Sequence, residues 1–254
     1  MKLHYVNLSL ILILRIVSTF GQAALRNLGK SVIDIAGGNG GVSFELSVRY
    51  GIEATLVEPR KAKLSSMERR RMKRICKWRE REANEPSSER LQHDPLMQLL
   101  LRETLAVKDD GIILDRVLQC CSSDQQTLPF QYAQLEFPIT FNIGNVDEEL
   151  LQLLRSSSLL IGMHSDQVTE SIVDAALILN LPFAVVPCCV FPYLFPHRKK
   201  LDGSTVTSTE EFIDYLQEKH PSIQKCDLPF NGRNVVLYRR PEAHAHHSSC
   251  GEES

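Results

Sequence analysis

Short apolar runs separated by glycine and polar residues dominate the first quarter of the chain. Val32–Ala36 predicts a buried strand, Gly37–Gly41 a tight turn, Val42–Tyr50 a helix and Ala54–Val57 a second strand. This succession is typical of the opening of a doubly wound parallel sheet. Such sheets bind ligands at the carboxyl ends of their strands.

A similar alternation returns after residue 146. The predicted elements are a helix at Glu148–Arg155 capped by Asp147, a strand at Ser158–Gly162, a helix at Gln167–Leu179, a strand at Phe183–Pro187, a helix at Glu210–Lys219 begun by Ser208 or Thr209, and strands at Ile223–Leu228 and Asn234–Arg239. The last two strands flank Asn231-Gly232, which predicts an antiparallel hairpin. We therefore expect an α/β fold with a Rossmann-like doubly wound seven-stranded sheet, mostly parallel and ending in an antiparallel hairpin.

Periodicity is lost between residues 61 and 134, which we interpret as a basic, partly disordered insertion. Leu135–Phe141 is the candidate third strand, and Pro138 suits an edge or a strand end. With 254 residues and 43% apolar content, the chain predicts one domain over residues 25–240. Residues 241–254 predict an unstructured tail.

The first 24 residues allow two interpretations. Lys2 precedes the apolar run Leu8–Leu14, as in a targeting signal, but Arg15 interrupts the run, as in an amphipathic helix that leads into the domain. The run is shorter than the roughly 20 residues of a membrane span. We expect no membrane association and a cytoplasmic or nuclear protein, with N-terminal signal or organelle targeting left open.

Positive charge is concentrated locally, although the formal net charge is only −2. Eleven Lys or Arg residues lie between Arg60 and Arg81, and His197–Lys200 is a second basic segment. The stretch Arg69–Arg81, with Trp78, can follow a phosphate backbone and stack on bases. It is also typical of a nuclear localisation signal or a solvated helix. RNA is the partner that this stretch predicts, and no stable protein partner is expected.

The seven cysteines lack the spacing of a disulfide scaffold or a zinc ribbon. The adjacent pair Cys188 and Cys189 predicts either buried inert thiols or a loop that shapes a pocket. His244, His246 and His247 lie in the unstructured tail, so no metal site is expected.

The most informative segment places Asp34 just ahead of a loop with almost no side chains, Gly37–Gly41, and Glu58 after the second strand. A dinucleotide would bring its pyrophosphate to this loop, where Asp34 would repel it. S-adenosylmethionine (SAM) has no phosphate and carries an ammonium and a sulfonium, which an acid attracts. Ser43 also replaces the third glycine of the dinucleotide fingerprint. These features favour SAM over a dinucleotide.

Asp34, Gly38 and Gly40 resemble the first motif of class I SAM-dependent methyltransferases, and Ala36 replaces its usual first glycine. The resemblance implies that Asp34 and the loop backbone hold the methionine part of SAM and that Glu58 binds the ribose hydroxyls. The cofactor-binding set is then Asp34, Ala36, Gly37, Gly38, Asn39, Gly40 and Glu58. Asn142 or Asp147 are candidates for adenine contacts. The competing interpretation is a plain tight turn beside a solvated Glu58.

The fourth predicted strand ends in a polar cluster, Gly162–Glu170. His164 is a candidate general base, and Asp166 is a candidate for setting its tautomer or binding the acceptor. Alternatively, Asp166 caps the helix that begins near Gln167, and His164 makes a structural hydrogen bond. The sequence leaves both interpretations open.

This cluster and Pro187-Cys188-Cys189 together resemble a methyltransferase group with Gly-x-His after strand four and Pro-Cys-Cys after strand five. The group includes tRNA ribose 2′-O-methyltransferase-like domains and glutathione-transferase-C-terminal-domain-containing relatives. Here Ser165-Asp166 replaces its usual Cys-Gly, and the Asn-Pro-Pro-Tyr motif of many amino-methylating enzymes is missing. No second cysteine lies near His164, which disfavours cysteine-mediated methylation of cytosine.

The leading functional hypothesis is a SAM-dependent methyltransferase that acts on RNA, with tRNA as the expected class of RNA. One alternative is methyl transfer to a protein or a small molecule. A noncatalytic binding module is the other, because Ala36 in place of a glycine can weaken SAM binding.

Overall fold

The computed structural model describes residues 8–27, 30–74 and 128–240, and these form a single seven-stranded sheet. The strands, in chain order, are β1 (Val32–Ile35), β2 (Ala54–Val57), β3 (Gln131–Ala133), β4 (Leu159–Met163), β5 (Phe183–Val186), β6 (Gln224–Asp227) and β7 (Val235–Arg239). Their spatial order is β3-β2-β1-β4-β5-β7-β6. Pairing from β3 to β5 is parallel, whereas β7 runs antiparallel to both β5 and β6. The predicted α/β architecture, with its closing hairpin, is confirmed.

Helices cover both faces of this sheet. They are α1 (Leu8–Phe20), α2 (Gln22–Asn27), α3 (Gly41–Tyr50), α4 (66–74), α5 (Glu148–Arg155), α6 (Thr169–Ile178) and α7 (Thr209–Glu218). Neighbouring strand residues point to opposite faces, so Val32 packs with α1 and α3, while Ile33 packs with α5, α6 and α7. Both faces of the central strands are therefore buried, which explains why their sequences are continuously apolar.

The N-terminal helix α1 is part of the hydrophobic core. Its residues Leu12, Ile13 and Ile16 are almost fully buried and belong to the cluster that contains α3 and one face of the sheet. None of the described helices combines the length and the apolar character that crossing a bilayer requires.

The third strand lies elsewhere than predicted. It is Gln131–Ala133, which pairs with β2, whereas residues 135–141 form an irregular segment that buries Phe137 and Phe141. As an edge strand, β3 is exposed or half-buried, so it lacks the apolar signature used to find strands. It also lies within the segment predicted to be an insertion.

Helix starts follow their capping residues. Asp147 accepts a hydrogen bond from the Glu149 amide at the start of α5, and Ser208 forms a capping box with Glu211 at the start of α7, as predicted. The predicted helix Gln167–Leu179 begins instead with a 3₁₀ turn, Asp166–Val168, followed by α6.

Part of the predicted insertion is helical. Ser65 and Glu68 exchange hydrogen bonds that cap α4. Residues 75–127 and 241–254 lie outside the described part of the chain. The predicted roles of Trp78, of the basic stretch beyond Arg74 and of the tail histidines therefore concern residues outside the described ranges.

Candidate functional site

The two acids selected from the sequence lie at the same edge of the sheet. Strands β1 and β2 are parallel neighbours, with Asp34 paired in register with Leu56 and Ile35 with Val57. Asp34 lies within β1, and Glu58 directly follows β2. Both carboxylates contact the loop that joins β1 to α3, which we call the glycine loop (residues 36–41).

Asp34 lies beneath the glycine loop and is completely buried. Its Oδ2 accepts hydrogen bonds from the Ser43 hydroxyl at 2.8 Å and the Ser43 amide at 3.2 Å. Its Oδ1 is buried without a hydrogen-bond partner among the described residues. Burial raises the pKa of Asp34 to about 6, against the opposing effect of the Ser43 hydrogen bonds and with a further contribution from the nearby Glu58 charge.

Two glycines allow the loop backbone to lie close to neighbouring side chains. A Cβ on Gly37 would lie 2.5 Å from both carboxylate oxygens of Asp34, and one on Gly40 would lie 2.6 Å from the Phe130 ring. Gly38 differs, because a Cβ there would meet no atom within 4 Å. Gly38 and Gly40 have φ of 61° and 78°, and Ala36 has φ 53°. The loop therefore rests on Asp34 and presents an open backbone surface at Gly38.

Glu58 holds the loop from the other side. It is only 1% exposed, and its Oε2 accepts a hydrogen bond from the Gly38 amide at 3.1 Å. Its Oε1 accepts from the Arg60 Nε at 2.7 Å and from the Arg60 amide. Burial opposes ionisation, but the Arg60 hydrogen bonds and charge hold the pKa of Glu58 below its usual value. Glu58 is thus an ionised, paired carboxylate, and its interpretation as a solvated acid is wrong.

The structure therefore brings Asp34, the loop and Glu58 together, but it leaves neither carboxylate open to solvent. Asp34 is covered by Gly37, and Glu58 is covered by the Arg60 side chain, which is itself 81% exposed. A ligand reaches the loop backbone directly, whereas it reaches Glu58 only where Arg60 moves aside.

The candidate acceptor residues follow β4 in a strained backbone. His164 has φ 53° and Asp166 has φ 48°, in the left-handed region that non-glycine residues seldom adopt. Ala36 after β1 and Phe191 after β5 share this conformation. Four of the five described non-glycine residues with positive φ thus follow the carboxyl ends of β1, β4 and β5. Strain of this kind is concentrated at functional sites.

The strained turn directs Asp166 toward the segment after β5. Its Oδ1 accepts a hydrogen bond from the Cys188 thiol at 3.3 Å, and its side chain makes no capping hydrogen bond in the 3₁₀ turn. The alternative role of Asp166 as a helix cap is therefore wrong. Burial, together with Cys189 and Asp166, raises the pKa of Cys188 to about 12. Cys188 and Cys189 are both half-buried free thiols.

His164 is half-buried, and its amide donates to the Val186 carbonyl at 3.2 Å. Burial lowers the pKa of its imidazole, although the Asp166 charge opposes this shift. The backbone hydrogen bond fixes the turn against β5, and the ring is the neutral form that a base requires.

Arg60 connects the two halves of this edge. Glu58, through hydrogen bonding and charge, raises the pKa of the guanidinium, and the Asp166 charge adds to the increase. Arg60 therefore pairs with the donor candidate Glu58 and is also influenced by the charge of the acceptor candidate Asp166.

The candidate adenine contacts have local roles. The Asn142 side chain accepts from the Gly144 amide at 2.9 Å in a 3₁₀ capping box, and Asp147 caps α5. Both side chains are occupied in holding the segment between β3 and α5.

The basic segment His197–Lys200 is partly an internal structure. Arg198 is 1% exposed, lies between the rings of Phe195 and Phe212, and pairs with Glu170 at 2.7 Å. Glu170 also accepts from Lys219 and the Tyr215 hydroxyl at 2.8 and 2.7 Å. The predicted basic edge is wrong for Arg198. We call Glu170, Arg198, Tyr215 and Lys219 the buried ion cluster, which the sequence analysis missed because its members lie up to 49 positions apart.

The basic stretch on α4 likewise contains both a cation paired with a buried acid and cations exposed to solvent. Arg71 pairs with the buried Glu45 at 2.9 Å and therefore stabilises the attachment of α4 to α3. Arg69, Arg70, Lys73 and Arg74 are exposed on α4.

Comparison with solved structures shows distant similarity of fold. Neither the protein-family models nor the curated proteins contain a match to the sequence. The chain is similar to the crystal structure of a Corynebacterium glutamicum protein from a structural genomics consortium, with 13% identity and a TM-score of 0.40. The match covers 95% of this chain and 83% of that chain. At this level it assigns neither a family nor a function.

Proposed function

We propose that this chain is a SAM-dependent methyltransferase that binds SAM on the glycine loop. The observation that carries the proposal is the placement of two buried carboxylates, from adjacent parallel strands, on either side of a loop whose backbone is open at Gly38. The sheet, with its C-terminal hairpin, is also the architecture that the resemblance to class I methyltransferases implies.

Electrostatics favours a cationic ligand without phosphate. Asp34 lies in a low-dielectric position with one oxygen unpaired among the described residues, so its charge acts strongly on a ligand above the loop. A pyrophosphate at this position would meet repulsion from Asp34 and Glu58. The ammonium and sulfonium of SAM would be attracted, and Asp34 would act from beneath the Gly37 backbone rather than by open contact.

Glu58 binds the ribose by exchanging its hydrogen-bond donors. Its carboxylate is held by Arg60, whose side chain is largely solvent-exposed. Two ribose hydroxyls can replace the guanidinium as donors to the same oxygens, which releases Arg60 toward the acceptor side. Because the Arg60 side chain already lies largely in solvent, its displacement does not bring a buried cation into water.

The acceptor we propose is RNA, and tRNA is the class that the resemblance implies. The exposed cations of α4 and the released Arg60 offer charge for a phosphate backbone. His164, at the end of β4, is the proposed general base toward a hydroxyl or ring nitrogen, and Asp166 orients it or the acceptor.

Calorimetric titration with SAM tests the donor site. We expect binding by the full chain, a loss of at least tenfold in affinity for Glu58→Gln, and unchanged affinity for Asp214→Asn, an exposed acid on α7 whose partner Lys225 is 3.6 Å away. Absence of SAM binding by the folded parent chain would reject the proposal.

Incubation with radiolabelled SAM and either total RNA or protein extract tests the acceptor. We expect label in RNA that depends on His164 and is lost in His164→Ala. Label confined to protein would reject RNA as the acceptor while leaving the donor site intact.

A further inference from the structure

Three potential metal ligands converge where the segments after β4 and β5 meet. One ligand atom from each of Asp166, Cys188 and Cys189 lies within 4.8 Å of the other two. Two of the three are thiol sulfurs, which favour soft or borderline metal ions over Mg²⁺ or Ca²⁺. Among the residues that the structure describes, this is the group of His, Cys, Asp and Glu side chains with metal-binding proximity.

The backbone around this trio is arranged to bring the ligands together. Asp166 adopts φ 48°, although no glycine is present to ease it, and its side chain points to Cys188 instead of capping the following turn. Successive residues of an extended strand point to opposite faces, but β5 ends at Val186, so the two cysteines lie in irregular backbone. The alternation of a strand therefore does not separate the two side chains, and their sulfurs lie within 4.8 Å of each other.

We propose that Asp166, Cys188 and Cys189 bind one Zn²⁺ ion, with an open fourth position. A tetrahedral zinc site with Zn–S bonds of about 2.3 Å holds its sulfurs about 3.8 Å apart. The sulfur–sulfur distance, which is within 4.8 Å, needs to shorten by no more than about 1 Å. Three protein ligands with a free position is the arrangement of zinc sites that exchange a water or a substrate group. This inference goes beyond the proposed function and differs from the sequence-based expectation of no metal.

Proton and charge balance are consistent with this ion. The Cys188 thiol donates a hydrogen bond to Asp166 Oδ1 at 3.3 Å. On binding, Zn²⁺ replaces the two thiol protons, which pass to solvent, and leaves two thiolates and a carboxylate on a divalent ion. The resulting site carries a single negative charge, and the Asp166 carboxylate within it already contributes to raising the pKa of Arg60. Arg60 therefore offsets part of that charge.

Titration of the reduced, metal-free full chain with Co²⁺ as a spectroscopic substitute tests the site, followed by Zn²⁺ competition. Cobalt bound to thiolate gives a sulfur-to-metal charge-transfer absorption. We expect this absorption at one equivalent, its displacement by one equivalent of Zn²⁺, its loss in Cys188→Ser/Cys189→Ser, and at least tenfold weaker binding in Asp166→Ala. Cys226→Ser is the matched control, because this half-buried thiol donates to the Asp227 carbonyl on β6.

The remaining cysteines and histidines require a second control. Cys76, Cys120, Cys121, Cys250 and the tail histidines are also potential ligands, so the same titration is made with two further variants, Cys76→Ser/Cys120→Ser/Cys121→Ser and His244→Ala/His246→Ala/His247→Ala/Cys250→Ser. We expect both to keep the absorption. Persistence of the signal in Cys188→Ser/Cys189→Ser, or its absence in the parent chain, would overturn the proposal. SAM titration of the same variants keeps this outcome separate from the donor site.

Discussion

Asp34 and Glu170 are both buried acids at the carboxyl edge of the sheet, yet their environments shift their pKa values in opposite directions. Burial raises the pKa of Asp34 to about 6, because its partner Ser43 is neutral. Burial also opposes ionisation of Glu170, but Lys219, Arg198 and Tyr215 overcome it and lower the pKa to about 2. The neighbours of a buried acid, rather than burial itself, decide whether it stabilises the fold or remains available to a ligand.

Glu170 and Asp34 therefore have different roles at the same edge of the sheet. Glu170 satisfies its charge internally and ties α6 to α7 and to the segment after β5. Among the described residues, no hydrogen-bond donor reaches Asp34 Oδ1. In the proposed function, a cationic ligand supplies the counter-charge to Asp34, whereas Glu170 already has its counter-charge within the fold.

The largest expected effect is the loss of the buried ion cluster. Glu170→Gln leaves Arg198 and Lys219 without their shared counter-charge, so we expect the free energy of unfolding to fall by about 3 kcal/mol or more. Urea denaturation measures this change. Glu218→Gln, an exposed residue of α7, is the matched control and should change stability by less than about 0.5 kcal/mol. Equal, small effects would show that the cluster contributes little.

The dependence of stability on pH distinguishes the two carboxylates, because Glu170 and Asp34 change the free energy of unfolding in opposite directions. Glu170 has a lower pKa folded than unfolded, so its contribution of about 3 kcal/mol is present above pH 4.5 and is lost as the pH falls toward 2. Asp34 acts oppositely, because its raised pKa makes folding less favourable as the pH rises from 3.8 through about 6. We expect Glu170→Gln to flatten the acid limb of the stability curve and Asp34→Asn to leave that limb intact.

Alanine substitutions at two loop glycines test whether the backbone surface at Gly38 is open. Gly40→Ala adds a Cβ that meets the Phe130 ring at 2.6 Å at a φ of 78°, so we expect a loss of about 2 kcal/mol in stability. Gly38→Ala meets no atom within 4 Å, and only its φ of 61° costs about 1 kcal/mol. Thermal denaturation of both variants checks the difference. We also expect SAM affinity to fall in Gly38→Ala, because the added methyl group enters the proposed ligand space.

The smallest expected stability effect is at Asp34. Asp34→Asn removes a buried charge but retains an oxygen for the Ser43 donors, so at pH 8 we expect stability to be unchanged or raised by about 1 kcal/mol. Urea denaturation at pH 8 measures it. A strongly destabilised variant would show that Asp34 has a structural role like that of Glu170.

Local patterns were sufficient to predict the central fold. Buried parallel strands are continuously apolar, and the caps at Asp147 and Ser208 use side chains next to their helices, so these elements were found within a few residues. The edge strand β3 was missed, because it contacts one neighbour only and its sequence is polar.

The sequence predicted where some of the candidate site residues lie, because their order along the chain fixes their place in the sheet. Asp34, Glu58 and the glycine loop were expected at one edge of the sheet, and the structure brings them together there. The Arg60 cover on Glu58 and the turning of Asp166 toward Cys188 depend on contacts between strands and on a strained backbone. No local pattern of side chains distinguishes these contacts from solvated charges or helix caps.

Calorimetric SAM titration between pH 8 and pH 5, on the parent chain and on Asp34→Asn, tests the central claim most directly. A cationic ligand that interacts with ionised Asp34 must lower its pKa from about 6, so affinity should fall about tenfold for each unit of that shift as the pH drops below 6. Asp34→Asn should bind more weakly and with no such dependence. Parent affinity that is independent of pH, or equal to that of Asp34→Asn at pH 8, would contradict the account.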